Sequence, residues 1–220
     1  MALILSPPDQ RITLRNLSWE TYRRLLSEHG EVSSPRFTFD RGVLEIMSPS
    51  AEHERHNLRI ADLIGVIADA MNLEAEGLGA STFTREDLER GFEADSCFYV
   101  QNVDKIRNEE RVDLSSDPPP DLVVEIDITN PSINKLVLFR EFGVPEVWRY
   151  NGQRLEILQL QGNGYDESEE SVAFPGVSAV AVTRLLRDGR ALGRTGWLRM
   201  TRAWARERFE RPYLSPTAAV

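Results

Sequence analysis

Residues 122–128, with the sequence LVVEIDI, constrain the fold of this chain more than any other segment. The run is nearly all apolar and closely follows three consecutive prolines, which exclude a helix at that point. A short apolar run is typical of a strand that is covered on both faces. The segment therefore predicts a sheet with other elements packed on both of its sides.

The segments around this strand alternate between helical and extended patterns. Apolar residues with a helical period, together with serine caps and a glycine stop, predict helices over 17–30, 50–73 and 131–142. Further strands are predicted over 81–85, 94–100 and 145–150, with hairpin turns at Asp40-Arg41-Gly42 and Asn151-Gly152. About 40 C-terminal residues look mostly helical. This order predicts a mixed α/β (α+β) fold.

Length and composition predict one compact unit in the cytoplasm. The 220 residues suit a core over 1–190 and a helical C-terminal arm and tail over 191–220 that belong to the same unit. The single cysteine, Cys97, excludes an internal disulfide. We expect no membrane association, because no run approaches the roughly 18 apolar residues of a membrane span.

The charge is negative overall but unevenly distributed. The net charge of −9 argues against a protein that coats nucleic acid through a basic surface. Residues 184–211, however, contain nine arginines and three acidic residues. Their side chains would contact phosphate or offset the acidic body, and packing or a dimer contact is the slightly favoured interpretation.

Carboxylates at the ends of two predicted strands indicate a metal site. Glu125 and Asp127 share a face of their strand with Asp121, because strand residues two apart point the same way. A carboxylate as central as Glu125 is costly to bury unless it is paired or metal-bound. If Asp95 faces the same side from the neighbouring strand, the oxygen ligands suit Mg²⁺ or Mn²⁺. Lys135 would add a positive charge beside the reacting phosphate.

Each of these residues also has a structural interpretation. Asp121 is more simply a cap at the loop end of the strand, and Asp127 is as easily a strand-end cap as a ligand. Lys135, taken alone, is typical of an exposed helix residue. A zinc site is not expected, since the chain has three histidines and one cysteine and only His53 and His56 have a suitable spacing.

Five blocks of the sequence carry a resemblance to a known family. GVLEIMSPSAEHE, GFEADSCFYV, PPDLVVEIDITNPS, NKLVLFREFGVPEVWRY and RAWARE, in this order, resemble the Uma-type restriction endonuclease family of the PD-(D/E)xK nuclease superfamily. The resemblance covers roughly residues 10–210. It implies a restriction-endonuclease-like αβββαβ core, a divalent-metal site and a homodimer, since single-site nucleases commonly use two subunits to cut both strands.

The resemblance also implies roles for single residues. Asp95 matches the metal-binding aspartate, Glu125 the acidic residue of the second strand, and Lys135 the lysine that orients or activates water. The superfamily's lysine position, two residues after the acid, is occupied here by Asp127, which could bind the metal as well. The resembling block before the long helix adds residues that could approach the metal or hold a water or a second ion: Glu45, His53 and Glu54.

The resulting interpretation is an Mg²⁺- or Mn²⁺-dependent endonuclease that hydrolyses DNA phosphodiester bonds with a metal-activated water. One alternative is a nuclease-fold protein without catalysis, acting as a binding or regulatory module, which the acidic charge and Asp127 favour. Another is a small phosphoester or nucleotide hydrolase, for which an acidic surface is no handicap. DNA binding that weakens steeply with salt would distinguish the nuclease from the small-molecule hydrolase.

Overall fold

A computed structural model describes residues 8–30, 32, 34–128 and 133–209. Within these ranges the chain forms eleven strands and six α-helices. The strands are β1 (Gln10–Arg15), β2 (Arg36–Asp40), β3 (Val43–Ser48), β4 (Glu76–Gly79), β5 (Thr82–Arg85), β6 (Arg90–Glu93), β7 (Ser96–Tyr99), β8 (Leu122–Ile126), β9 (Glu146–Tyr150), β10 (Leu155–Gln161) and β11 (Gly164–Ser168). The helices are α1 (Trp19–His29), α2 (Ala51–Met71), α3 (Val103–Ile106), α4 (Lys135–Glu141), α5 (Ala179–Asp188) and α6 (Arg194–Phe209).

The central strand of the larger sheet is β8, as its apolar sequence predicts. This six-stranded sheet has the order β11-β10-β9-β8-β7-β4, in which β8 runs parallel to β9 and antiparallel to β7. All five residues of β8 are buried. Val124 packs with Ile60 and Leu63 of α2 on one face, and Val123 packs with Phe139 of α4 on the other. The prediction of a strand covered on both sides is confirmed.

The smaller sheet has five strands in the order β1-β3-β2-β6-β5. The chain passes from β6, which ends at Glu93, to β7, which begins at Ser96, and so crosses from this sheet to the larger one. Only Ala94 and Asp95 lie in the crossing. The crossing therefore places Asp95 at the corner where the two sheets meet.

The predicted starts of the first two helices and both hairpin turns are confirmed. The hydroxyls of Ser18 and Ser50 accept hydrogen bonds from the backbone of the first turns of α1 and α2. In the β2–β3 turn Arg41 and Gly42 have φ angles of 41° and 91°, and Gly152 in the β9–β10 turn has 87°. These left-handed conformations explain why turn residues stand at these points.

The remaining differences concern short elements and the chain ends. β1, β4, β6 and β11 were not predicted. Three of them, β1, β4 and β11, lie at the edge of a sheet, where the alternating pattern is weak, while the four-residue β6 lies between β2 and β5. The helix predicted over 131–142 is observed from Lys135, and residues 131 and 132 lie outside the described part of the chain. The predicted loose tail, 212–220, also lies outside it. No helix in the described ranges is long and apolar enough to cross a membrane.

Candidate active site

Asp95 is completely enclosed and accepts three hydrogen bonds. Its Oδ2 accepts the backbone N–H of Ile126 at 2.6 Å. Its Oδ1 lies 2.8 Å from Nε2 of His53 and accepts a bond from Nη1 of Arg36. Burial would raise the pKa of Asp95, but the His53 hydrogen bond and the charges of Lys135 and Arg36 lower it to about 2. Asp95 is therefore a fixed anion at neutral pH.

His53 lies between two buried aspartates. Its Nδ1 is 3.0 Å from Oδ2 of Asp9, whose Oδ1 accepts the backbone N–H of Ser50 at 2.8 Å. Burial alone would lower the pKa of His53, but the hydrogen bond and charge of Asp95 and the charge of Asp9 raise it. The imidazolium form therefore bridges the two carboxylates and ties the first turn of α2 to Asp95.

Arg36, the first residue of β2, completes this arrangement. Its Nη2 lies 2.5 Å from Oε1 of Glu54, which is one residue beyond His53 on α2. We call Asp9, Arg36, His53 and Asp95 the Asp95 network. Its members come from the segment before β1, from β2, from α2 and from the β6–β7 crossing, so the network exists only when both sheets and α2 are assembled.

Glu125 and Lys135 form the second half of the site. Nζ of Lys135, the first residue of α4, lies 2.5 Å from Oε1 of Glu125 and 3.4 Å from the backbone oxygen of Glu93. Oε2 of Glu125 is buried and has no hydrogen-bond partner among the residues that the structure describes. Burial raises the pKa of Glu125 against the opposing charge of Lys135. Burial would lower the pKa of Lys135, but Glu125 and Asp95 raise it, so the lysine remains a cation.

The strand register brings the two halves together. In the antiparallel β7–β8 ladder Ser96 pairs with Val124, so the next pair along is Asp95 opposite Glu125. Residues directly opposite in such a ladder project from the same face. The register and the contact between Lys135 and Glu125 thus bring Asp95, Glu125 and Lys135 together.

Asp127 lies at the edge of this group. Its backbone N–H donates to the carbonyl of Tyr150 at 2.8 Å, and its side chain is half-buried. Burial raises the pKa of Asp127, while the charges of Arg149, Arg11 and Lys135 oppose the rise. The Asp127 carboxylate is thus close enough to Lys135 for the lysine charge to act on it, as is expected of a further ligand at this site.

Of two further residues expected near the metal, Asp121 and Glu45, the first lies elsewhere. Asp121 caps the turn after β7, where its Oδ2 accepts the backbone N–H groups of Val100 and Asn102 at 2.8 and 2.9 Å. It shares a strand face with Glu125 but lies four residues away, roughly 13 Å at the usual strand rise. Glu45 is inside β3, not at its end, and its Oε1 accepts a bond from Arg11 at 2.8 Å. Asp121 is thus the cap that the structural interpretation predicted.

The sequence matches a family model, and the fold is similar to that of a solved structure. The model of the Uma2 family, described as "Putative restriction endonuclease", matches residues 19–193. The chain belongs to the Uma2 family. Its fold is similar to the crystal structure of a protein from Anabaena variabilis ATCC 29413 described as a "putative nuclease", with a TM-score of 0.51, 13% identity, and coverage of 77% of this chain and 99% of that chain. No curated protein matches it.

Membership of Uma2 confirms the resemblance seen in the sequence and supports a nuclease activity. Asp95, Glu125 and Lys135 all lie inside the matched range, whereas Asp9 precedes it. Asp9 and Arg36 are the site residues that sequence reasoning missed. Neither belongs to a spaced motif, and Arg36 meets Asp95 across 59 positions of the chain, so no local pattern indicates either residue.

The residues of this Uma2 protein fit a magnesium-type ion. No three His, Cys, Asp or Glu side chains within the described ranges are grouped as a protein-only metal cage would require. Magnesium, however, usually takes one or two carboxylates and completes its shell with water and substrate phosphate. Oε2 of Glu125 has its lone pairs available for a metal ion. Oδ2 of Asp95 accepts one hydrogen bond and so keeps a second lone pair for the ion.

Proposed function

We propose that this Uma2 protein is an Mg²⁺- or Mn²⁺-dependent endonuclease that hydrolyses DNA phosphodiester bonds. The observation that supports this most strongly is the carboxylate of Glu125. One of its oxygens is buried and has no partner among the described residues, although an unpaired buried acceptor costs about 1–3 kcal/mol. The other oxygen, Oε1, contacts the buried Lys135, and Glu125 stands opposite Asp95 in a fold similar to that of a protein described as a "putative nuclease". A ligand oxygen awaiting a cation explains the unpaired acceptor.

The residues of the chain divide the work between them. Glu125 and Asp95 would hold the ion, with Asp127 as a further ligand at the edge. The bound ion would supply Lewis-acid polarisation of a phosphoryl oxygen and lower the pKa of a water. Burial opposes protonation of Lys135, but Glu125 and Asp95 raise its pKa, so it acts as a cation that orients water and stabilises phosphoryl charge, not as a general base.

The Asp95 network has a positioning part in this proposal. Three donors fix both oxygens of Asp95, so that its remaining lone pair points in one direction. Asp9 in turn orients the imidazole of His53 at 3.0 Å. Such a preorganised ligand needs no rearrangement when substrate arrives. We further propose a homodimer, because one site per subunit cuts one strand of a duplex at a time.

One observation favours a second candidate, a nuclease-fold binding module without catalysis. Arg36 and His53 already neutralise Asp95, and Asp127 stands two residues after Glu125 in place of a lysine. A site whose anion is balanced by fixed cations has a smaller electrostatic need for a divalent ion. This candidate predicts DNA binding without strand scission.

Cleavage of supercoiled plasmid DNA with Mg²⁺ or Mn²⁺ tests the proposal. We expect nicked and linear products from the parent protein and a loss of at least 10²-fold in rate for Glu125→Gln and Lys135→Met, as typical for electrostatic groups at a reacting centre. Asp121→Asn is the matched control, since it removes a carboxylate beside the same strand but outside the site. Intact plasmid with every protein, at concentrations where DNA is bound, would favour the non-catalytic candidate.

A further inference from the structure

Three guanidinium groups converge on one histidine next to the candidate site. Arg55 and Arg59 stand one turn apart on α2, on either side of His56, and Arg190 approaches from the short 3₁₀ turn after α5. The His56 ring meets the edge of the Tyr150 ring at 5.1 Å, and Nη2 of Arg190 lies 3.3 Å from the Tyr150 hydroxyl. Burial and then the charges of Arg190, Arg59 and Arg55 lower the pKa of His56. The three cations therefore share one small surface.

Their partners are neutral groups. Arg59 donates to the backbone oxygen of Leu192 at 3.5 Å and lies 5.7 Å from the ring of Trp197. Arg190 donates to the backbone oxygen of Gly152. Arg55 is exposed. Within the described part of the chain, none of the three arginines forms an ion pair with a carboxylate. Oε1 of Glu52 lies 3.8 Å from Nε2 of His56.

Some exposed arginines elsewhere are paired with carboxylates, whereas others in the described part of the chain, such as Arg184 and Arg199, stand apart from the cluster without such a partner. Arg23 lies 3.4 Å from Glu86, Arg24 lies 2.8 Å from Glu28, and Arg107 lies 3.0 Å from Asp104. In a chain with a net charge of −9, acidic partners are plentiful. Three like charges held together without an acid repel one another, and an external anion removes that cost. The guanidinium fork matches a phosphate group, to which it can donate two parallel hydrogen bonds.

The cluster borders the candidate site at the end of two strands. Tyr150 pairs with Ile126, the residue after Glu125, in the parallel β8–β9 ladder. On α2, His53 faces Asp95, while His56 faces Tyr150 less than one turn further along. Glu125 points to the opposite face of the sheet from Ile126 and Tyr150, so only a polymer that passes over the ends of these strands could contact both the arginines and the carboxylates.

We propose that Arg55, Arg59 and Arg190, the arginine cluster, bind the DNA phosphate backbone next to the bond that is cut. This inference rests on the proposed function and adds the surface along which the substrate lies. The contacts are to phosphate, so they position the duplex and carry no sequence preference. The inference explains why three guanidiniums near one another have no carboxylate partner among the described residues.

Anisotropy of a fluorescent DNA duplex, measured with EDTA to prevent cleavage, tests the cluster. The test variant carries Arg55→Gln, Arg59→Gln and Arg190→Gln, and the control carries Arg23→Gln, Arg24→Gln and Arg107→Gln, so that both lose three positive charges. Each lost phosphate contact flattens the slope of log K against log salt by about 0.9, hence by about 3 in total. We expect affinity near 0.1 M salt to fall on the order of 10²-fold, and only a few-fold in the control.

Two further arms keep the result interpretable. Arg59 packs on Trp197, so the single variant Arg55→Gln, at an exposed residue, is measured as well and should flatten the slope by about 1. The inference is overturned if the triple and the single variant both bind DNA with the affinity and salt slope of the parent. Binding to phosphatidylserine vesicles is measured in parallel, and a triple variant that loses vesicle binding but keeps DNA binding would also overturn it. Plasmid cleavage is measured separately. If the parent cuts DNA and the triple variant binds DNA as the parent does, the role of the arginine cluster is refuted but the nuclease proposal is not. If DNA binding depends on the cluster but the parent does not cut, the nuclease proposal is refuted but the role of the cluster is not.

Discussion

Asp95 and Glu125 are neighbours across β7 and β8, yet their surroundings differ. Asp95 accepts bonds from Ile126, His53 and Arg36, and those groups hold its pKa at about 2. Glu125 has one cation, Lys135, on one oxygen and no described hydrogen-bond partner on the other, and burial raises its pKa. On one face of the sheet, hydrogen bonds and charges therefore lower the pKa of Asp95, whereas desolvation raises the pKa of Glu125.

The difference follows from where each residue stands in the chain. Asp95 is in the crossing between the sheets, where β2 and α2 can both reach it. Glu125 is inside a central strand, where its own neighbours are apolar and, among the described residues, the start of α4 supplies its one donor. A satisfied anion holds the structure together, whereas an unsatisfied one retains the capacity to bind a ligand. On the proposed function, Asp95 would therefore contribute mainly to stability and Glu125 mainly to binding the ion.

The largest effect is expected when Asp95 is removed. Asp95→Ala leaves Arg36 and His53 as buried cations and leaves the Ile126 N–H without an acceptor. Removing one partner of a buried charge network costs about 3–5 kcal/mol, which urea unfolding at neutral pH measures. Asp127→Asn serves as the control for loss of a nearby charge. A cost below about 1 kcal/mol would mean that the network does not stabilise the fold.

A smaller, pH-dependent effect is expected for Lys135→Met. The substitution leaves Glu125 buried without its cation, so the carboxyl takes up a proton and its pKa rises further. We expect a loss of about 2–3 kcal/mol at pH 8 and a clearly smaller one at pH 5, where Glu125 is neutral in both proteins. Equal losses at both pH values would show that the lysine acts through packing and not through charge.

The two carboxylates should also give opposite pH slopes. The folded-state pKa of Asp95 lies below its ordinary value of 3.8, so its contribution is complete above pH 4 and is lost as pH falls towards 2. That contribution is about 2 kcal/mol at 1.36 kcal/mol per pKa unit. The pKa of Glu125 is raised from 4.5 to about 7, so stability declines as pH rises between these values. In a plot of urea midpoint against pH, Asp95→Asn should therefore lose the slope that the parent shows at low pH, and Glu125→Gln should lose the slope that the parent shows towards neutrality.

The smallest effect on stability is expected for Asp127→Asn. Burial raises the pKa of this half-buried carboxyl, so the native state already disfavours its charge. Removing the charge should change the unfolding free energy at pH 7 by no more than about 1 kcal/mol. If Asp127 is a metal ligand, Mn²⁺ affinity falls several-fold in the same variant. Unchanged affinity would return Asp127 to its other interpretation, a strand-end cap.

Sequence reasoning succeeded where a short segment carries its own signal. The apolar run of β8, the caps Ser18 and Ser50 and the Asn151-Gly152 turn each act within a few residues. Asp9 and Arg36 gave no such signal, because Asp9 meets Ser50 across 41 positions and Arg36 meets Asp95 across 59.

Asp121 shows a different limit. Strand parity correctly placed it on the face of Glu125, since every second residue of a strand shares a face. Parity says nothing about position along the strand, and the structure puts the carboxylate at the end of β8 beside Val100 and Asn102. A shared face is therefore a necessary condition for a shared site, not a sufficient one.

Calorimetric titration with Mn²⁺ tests the central claim most directly. The parent protein and the control Asp121→Asn should both bind the ion with measurable heat. Glu125→Gln should lose that heat while keeping the parental circular dichroism spectrum, because the substitution removes the charge of a carboxylate one of whose oxygens has no partner among the described residues. If the parent gives no heat at millimolar Mn²⁺, or if Glu125→Gln binds as tightly as the parent, Glu125 is not a metal ligand and the account is contradicted.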